Sequence, residues 1–220
     1  MKLLLTSDGI TNPSIVKALF DLVGKKPEDT TLAFIPTAMN MARGDKSWFV
    51  DMLYGIKQLR LKNLDIVDIS ALPKNVWLPK LEAADALFFC GGSAPHFMNS
   101  MKKSGLIDVL PELLKTKVYA SNSAASTATA PDLSLSNPKV RSEYKDVFDY
   151  DENDGLNFVD FYTQSHLNNP QYPERTESSL SERAKDFSKT FYAIDHDSAL
   201  KVIDGKVEVI SEGKYLKFEK

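Results

Sequence analysis

Ala86-Leu87-Phe88-Phe89-Cys90-Gly91-Gly92-Ser93-Ala94-Pro95 is an uncharged run that stops on two glycines and resumes at a proline. Ala86 to Cys90 is continuously apolar, as a strand buried on both faces must be. The glycines break the strand, and Pro95 then sits at the start of a helical pattern running to Lys103. The same order of elements extends outward on both sides. Upstream, Lys2–Thr6 is an apolar strand closed by Ser7-Asp8-Gly9. It precedes a helix that starts near Pro13, carries Ile15, Val16, Leu19, Phe20 and Leu22 on one side, and stops at Gly24. Thr31–Ile35 is a second strand, ended by Pro36-Thr37-Ala38. Trp48, Phe49, Met52, Leu53, Ile56 and Leu59 recur at helical spacing, and Leu64–Ile69 follows as a strand. Downstream, helical spacing over Ile107–Lys115 leads to a strand over Lys117–Ala120.

Strands that are almost entirely apolar, alternating with amphipathic helices, predict an α/β fold: a mostly parallel, doubly wound sheet between two helical layers, a three-layer sandwich. In such sheets ligands bind beyond the carboxyl ends of the strands. The loops to search are therefore Ser7–Asn12, Pro36–Gly44, Gly91–His96 and Ser121–Ala125. A strand is expected over Asn157–Tyr162. The tail reads as short strands over Phe191–Ile194, Ala199–Ile203, Lys206–Ile210 and Tyr215–Phe218, with Asp204-Gly205 as a hairpin turn. These are expected to pair antiparallel at one edge of the sheet. Asp146–Asp154 holds five acids in nine residues and reads as an exposed loop.

With 220 residues the chain fits one domain, residues 1–220. It is 43% hydrophobic and 26% charged, which argues against disorder. Lys and Arg total 27 against 30 acids, without a basic block, so no nucleic-acid partner is expected. The first apolar run is shorter than a signal-peptide core of roughly 7–15 residues or a membrane span of about 20. The reading is a cytoplasmic protein with no membrane partner. One cysteine, Cys90, allows no intramolecular disulfide and no multi-cysteine metal centre. No metal and no organic cofactor are expected.

Val118-Tyr119-Ala120-Ser121-Asn122-Ser123-Ala124-Ala125-Ser126-Thr127-Ala128-Thr129-Ala130-Pro131 carries no charge. A strand runs into small residues and then a helix-compatible stretch, the context of a nucleophile elbow with a serine on the turn. Such a turn forces its serine into a strained conformation and needs small neighbours. Ser121 and Ala125 stand where glycine is usual. The Ala124 N–H would face a developing oxyanion. The plainer alternative is a serine-rich loop beside a close-packed helix. A serine needs a base. Of three histidines, His166 is the best placed, on a loop leaving the strand expected before it; His96 starts a helix, and His196 lies between Asp195 and Asp197 in a turn.

Together these residues resemble peptidase family S51, the aspartyl dipeptidase (peptidase E) and cyanophycinase group, over nearly the whole chain. Lys2–Ser7 and Phe34–Ala38 look like the family's first two strand ends. Cys90-Gly91-Gly92-Ser93-Ala94 falls on its glycine loop, and Ser121–Ser126 on its Gly-x-Ser-Ala-Gly-Ala elbow. Gly155-Leu156-Asn157-Phe158-Val159-Asp160-Phe161 with Ser165-His166 falls on its Gly-Leu-x-Leu-Val-Asp-Phe segment and Pro-His pair. The resemblance implies a sandwich like that of class I glutamine amidotransferases. It implies Ser123 as nucleophile, His166 as general base, and the Gly92 and Ala124 N–H groups as oxyanion donors, with Gly91 and Ser93 bordering the substrate. The family's third, acidic member falls at Ser142, with Glu143 beside it and Asp146 further on. Glu143 is the carboxylate expected to orient His166, by a slip of one residue in the loop, and without that slip the serine–histidine pair has no orienting acid.

The leading expectation is a serine-type peptidase acting on a dipeptide, short peptide or isopeptide, with a small peptide as its partner; a homo-oligomer is compatible with the sequence. Relatives favour an amino-terminal aspartate or an aspartate–arginine isopeptide. A second reading, motivated by the altered elbow and loop, is a catalytically impaired member that binds a small ligand or partner in the same cleft. A third is a cysteine hydrolase or amidotransferase using Cys90, against which a buried structural thiol is the better account.

Overall fold

The computed structural model describes residues 1–220. Five strands, β1 (Lys2–Thr6), β2 (Thr31–Ile35), β3 (Asn63–Ile66), β4 (Ala86–Phe89) and β5 (Val118–Asn122), lie parallel in the order β3-β2-β4-β5-β1. Two antiparallel strands, β8 (Ser198–Ile203) and β9 (Lys206–Ser211), extend the sheet beyond β1. The pleat sends alternate residues to opposite faces. Leu4, Phe34 and Phe88 meet Ile15, Leu19 and Leu22 of α1 (Pro13–Val23) and Met52 and Ile56 of α2 (Ser47–Gln58). Leu3, Leu5, Leu87, Phe89 and Tyr119 meet Trp77 and Leu81 of α3 (Lys74–Ala83), Phe97, Met98 and Met101 of α4 (Ala94–Ser104) and Leu110 of α5 (Leu106–Leu113). Covering an aliphatic or phenyl side chain in this way stabilises the fold by about 1.5–3 kcal/mol. The expected three-layer sandwich is therefore present.

The tail divides between two sheets. β8 and β9 form the antiparallel edge, as expected. β7 (Phe191–Ile194) instead sits in a second sheet, antiparallel to β10 (Tyr215–Phe218) and parallel to β6 (Tyr162–Gln164). The strand expected over Asn157–Tyr162 is absent. There the chain is irregular, with the Leu156, Asn157 and Phe158 N–H groups held by the carbonyls of Ala128, Ala130 and Thr129, and Asn157 at φ 52°. That detour delays the strand until Tyr162 and leaves His166 at its carboxyl end. Two further helices complete the chain, α7 (Pro138–Phe148) and α8 (Glu177–Arg183), after the one-turn α6 (Ala124–Thr127). The start of the acidic stretch is helical, since α7 runs to Phe148. No helix is long and apolar enough to cross a membrane.

Candidate active site

β4, β5 and β1 are neighbours, and their register sets Phe89 against Ser121 and Thr6 against Asn122. Three loops consequently leave the sheet side by side. Ser123 follows β5 directly, at φ 50° and ψ −116°, and caps α6. This is the strained geometry of an elbow. It is fastened from β1: the Ser123 N–H donates to the Thr6 carbonyl at 3.1 Å, and Thr6 Oγ1 donates to the Ser121 carbonyl at 2.8 Å. The two residues that replace glycine fit. Ser121 Oγ bonds Ser126 Oγ at 2.9 Å, Ser126 Oγ donates to the Thr6 carbonyl, and Ala125 is fully buried in the core.

His166 leaves the end of β6 at φ 64°. Its Nε2 lies 2.8 Å from Ser123 Oγ. Its Nδ1 faces the Asp8 carboxylate, 3.1 Å from Oδ1 and 3.2 Å from Oδ2. Asp8 also accepts the Ser7 hydroxyl at 2.9 Å, and Ser7 Oγ in turn accepts the His166 N–H at 2.9 Å. Burial works to raise the Asp8 carboxyl; the hydrogen bond and charge of His166, the Ser7 hydroxyl and the nearby His196 outweigh it and hold it below the usual carboxylate range. An ionised Asp8 keeps the proton on Nδ1 and presents the Nε2 lone pair to the serine. His196 Nδ1 lies 3.4 Å from the same carboxylate on an exposed turn.

The carboxylate beside His166 is thus Asp8, not the expected Glu143. Glu143 lies on α7, where its charge pairs with Arg43 at 3.7 Å, and Ser142 and Asp146 are exposed on the same helix. The acid comes from the opposite end of the chain because β1 packs against β5. Its signal in the sequence was a lone charge in the first residues beyond an apolar strand, in the Ser7–Asn12 loop.

Gly92 stands beside Ser123 at φ 144°, and a Cβ there would fall 2.3 Å from the Ala38 carbonyl oxygen. Its N–H has no partner within the protein. The Ala124 N–H, first in α6, has none within the helix. Gly91 approaches so closely that a Cβ would lie 2.9 Å from the Ser123 Cβ, and its N–H is held by Asn122 Oδ1 at 2.8 Å. Ser93 does not border the site as expected. Its N–H goes to the Ala38 carbonyl, and its hydroxyl caps α4 by accepting the His96 N–H at 3.3 Å. His96 Nδ1 contacts the Tyr144 hydroxyl at 3.1 Å. Cys90 is fully buried, with its thiol pushed up by desolvation.

Two cavities flank Ser123. The smaller, about 130 Å³, is lined by Gly92, Ala124, Gln164, Ser165 and Arg175 among others. The larger, about 450 Å³, is lined by Asp8, Arg43, Trp48, Gly92, His166 and Gln171 among others. Tyr172 borders both. Its ring lies flat on His166, centroids 4.5 Å apart and planes 9° apart, and the Arg175 guanidinium covers its other face at 4.1 Å. Arg175 also donates to the Ser165 carbonyl at 3.1 Å. Neither Tyr172 nor Arg175 was legible as a site residue in a loop without periodicity. No three His, Cys, Asp or Glu side chains are grouped to hold a metal ion.

An α/β sandwich bearing a serine on a strand-to-helix elbow, against a histidine and a carboxylate, has the layout of the serine-nucleophile hydrolases. The family model of peptidase family S51 matches residues 3–210. The chain belongs to that family. It is 28% identical over 200 residues to the uncharacterized peptidase Lmo0363 of Listeria monocytogenes, covering 90% of this chain and 93% of the relative. To the uncharacterized peptidase Lin0382 of Listeria innocua it is 25% identical over 199 residues, covering 87% and 90%. The fold is that of a Listeria monocytogenes EGD-e protein that carries a peptidase E name, with a TM-score of 0.75 at 22% identity over 96% of this chain and 98% of that one. A peptidase from an acI-B1 Actinobacterium has the same fold, with a TM-score of 0.65 at 16% identity over 99% and 93%.

Proposed function

We propose that this protein is a serine-type peptidase that cleaves a dipeptide, short peptide or isopeptide through an acyl-enzyme on Ser123. The observation that carries the reading is the Ser123 Oγ to His166 Nε2 contact of 2.8 Å, oriented from behind by Asp8. In acylation Ser123 Oγ attacks the carbonyl carbon while its proton passes to His166 Nε2. The carbonyl oxygen becomes an oxyanion facing the Gly92 and Ala124 N–H groups. The C–N bond then breaks, and the proton on Nε2 goes to the leaving amine. A water molecule reverses the sequence, giving its proton to His166 and its oxygen to the acyl carbon. Asp8 stays ionised and stabilises the imidazolium. Each oxyanion donor is typically worth about 10²–10³ in rate.

The leaving amine must take its proton from His166, so it departs on the side His166 lines, the larger cavity. The acyl residue then occupies the smaller one, beside the oxyanion donors. Arg175 is the one charged side chain on that smaller wall, which favours an acidic acyl residue. The test is fluorophosphonate labelling alongside hydrolysis of a dipeptide panel. Wild type is expected to label at Ser123 and to turn over at least one dipeptide, with both signals lost in Ser123→Ala. A wild type that neither labels nor hydrolyses, while still binding dipeptides, would make it a ligand-binding relative instead.

A further inference from the structure

We infer that Arg43 anchors the free α-carboxylate of the leaving residue and sets how strongly the site prefers that carboxylate to a neutral amide in the same place. This rests on the hydrolase reading above and concerns the amine side of the same site. Arg43 lines the larger cavity together with Ser123 and His166. Arg43 and His166 are the basic side chains on that wall; His166 is committed to Ser123 and Asp8, which leaves the Arg43 guanidinium to meet an incoming anion. Its guanidinium donates no hydrogen bond within the protein; its one partner is Glu143 at 3.7 Å, beyond hydrogen-bond range, and the side chain is 76% exposed. A guanidinium has five N–H donors in a fork that matches a carboxylate.

The acids on the same wall do not use that fork. Asp8 is held by His166 and Ser7. Asp45 turns to the head of α2, where it accepts the Ser47 N–H at 3.1 Å and the Ser47 hydroxyl. Trp48 supplies apolar surface, and Asn169 and Gln171 supply amides, for the rest of a leaving residue. In a dipeptide the carboxylate lies directly beyond the scissile bond, within the cavity that holds Arg43. In a longer peptide or an amide that place holds a neutral group, and Arg43 stays with Glu143. An incoming carboxylate therefore competes with Glu143 for one guanidinium. Because Arg43 is solvated, the expected discrimination is about tenfold rather than thousands.

The experiment measures kcat/KM for Xaa-Leu dipeptides and for the matching Xaa-leucinamides in wild type, Arg43→Gln, Arg43→Lys and Glu143→Gln. The acid-to-amide ratio cancels any general loss of catalyst or fold. It is expected to be about ten in wild type, near one in Arg43→Gln, intermediate in Arg43→Lys and larger in Glu143→Gln, carried by KM. A wild-type ratio near one, or a ratio unchanged in Arg43→Gln, overturns the inference and leaves the peptidase reading intact. Absence of cleavage across the panel, with Ser123 unlabelled by fluorophosphonate, overturns both.

Discussion

Replacing Asp8 by Asn tests the site at the residue that the fold alone brought to it. Asp8 accepts from Ser7 through Oδ2 and lies 3.1 Å from His166 Nδ1 through Oδ1. In Asp8→Asn the Ser7 hydroxyl still needs an acceptor, so the amide oxygen takes the Oδ2 position. The amide NH₂ then replaces Oδ1 and points donors at Nδ1. The Nδ1–H then keeps the amide oxygen at 3.2 Å but meets a donor in place of its second acceptor at 3.1 Å, which favours the tautomer with the proton on Nε2, where it no longer accepts from Ser123. Loss of the negative charge adds to this. A unit charge pair about 3 Å apart gains about 5 kcal/mol at an effective dielectric of about 20. Asp8 is 23% exposed, so screening leaves about 3–5 kcal/mol, or about 10²–10⁴ in rate at 1.36 kcal/mol per decade. The wrong-tautomer effect in the trypsin-type triad is about 10⁴. The expected outcome is a fall of about 10³–10⁴ in kcat, with KM little changed and the circular dichroism spectrum retained. Dipeptide turnover and the rate of Ser123 labelling should fall together. Retention of activity within about tenfold of wild type would refute the assignment of Asp8 as the orienting acid.

Three further outcomes follow from contacts in the same site. Because the native Asp8 carboxyl is held below its unfolded value, it contributes stability above the unfolded pKa, and that share is lost as pH falls through the native value. Urea midpoints of wild type and Asp8→Asn should thus differ most near neutral pH and converge below about pH 4. Gly92→Ala places a Cβ 2.3 Å from the Ala38 carbonyl oxygen at a φ of 144°. It should cost about 3 kcal/mol in stability and move the oxyanion donor, lowering kcat about 10²-fold as read by denaturation and turnover. Tyr172→Ala removes the ring stacked on His166 and should cut kcat about tenfold to a hundredfold, while Tyr172→Phe, which keeps the ring, stays within about threefold.

Local chemistry in the chain was enough for much of this. Apolar runs ending on glycine, serine or proline marked four of the five parallel strands, because a strand buried on both faces has no polar alternation to obscure it. The edge strand β3, which carries Asp65 and buries none of its residues, ends at Ile66, short of the Ile69 expected. The uncharged small residues around Ser123 marked the elbow, because that backbone geometry admits little else. Elements with weak patterning were not legible. α3 contains Pro79 and buries only Trp77 and Leu81, and α7 buries only Tyr144, so neither carries a continuous apolar stripe. The irregular Leu156–Val159 segment spends its backbone donors on the carbonyls of residues 128–130, a contact between distant segments that no local pattern announces.

The sequence by itself determined the sandwich, the nucleophile candidate Ser123 and the base candidate His166, since each depends on residue types within a few positions. Only the tertiary structure set a carboxylate against that histidine. Asp8 precedes His166 by 158 residues, and the two meet because β1 lies beside β5 while β6 ends over them. Strand order is settled by how whole faces pack, and the spacing of residues along the chain carries no record of it. Glu143, adjacent to the position that the family resemblance implied, is turned by its helix toward Arg43.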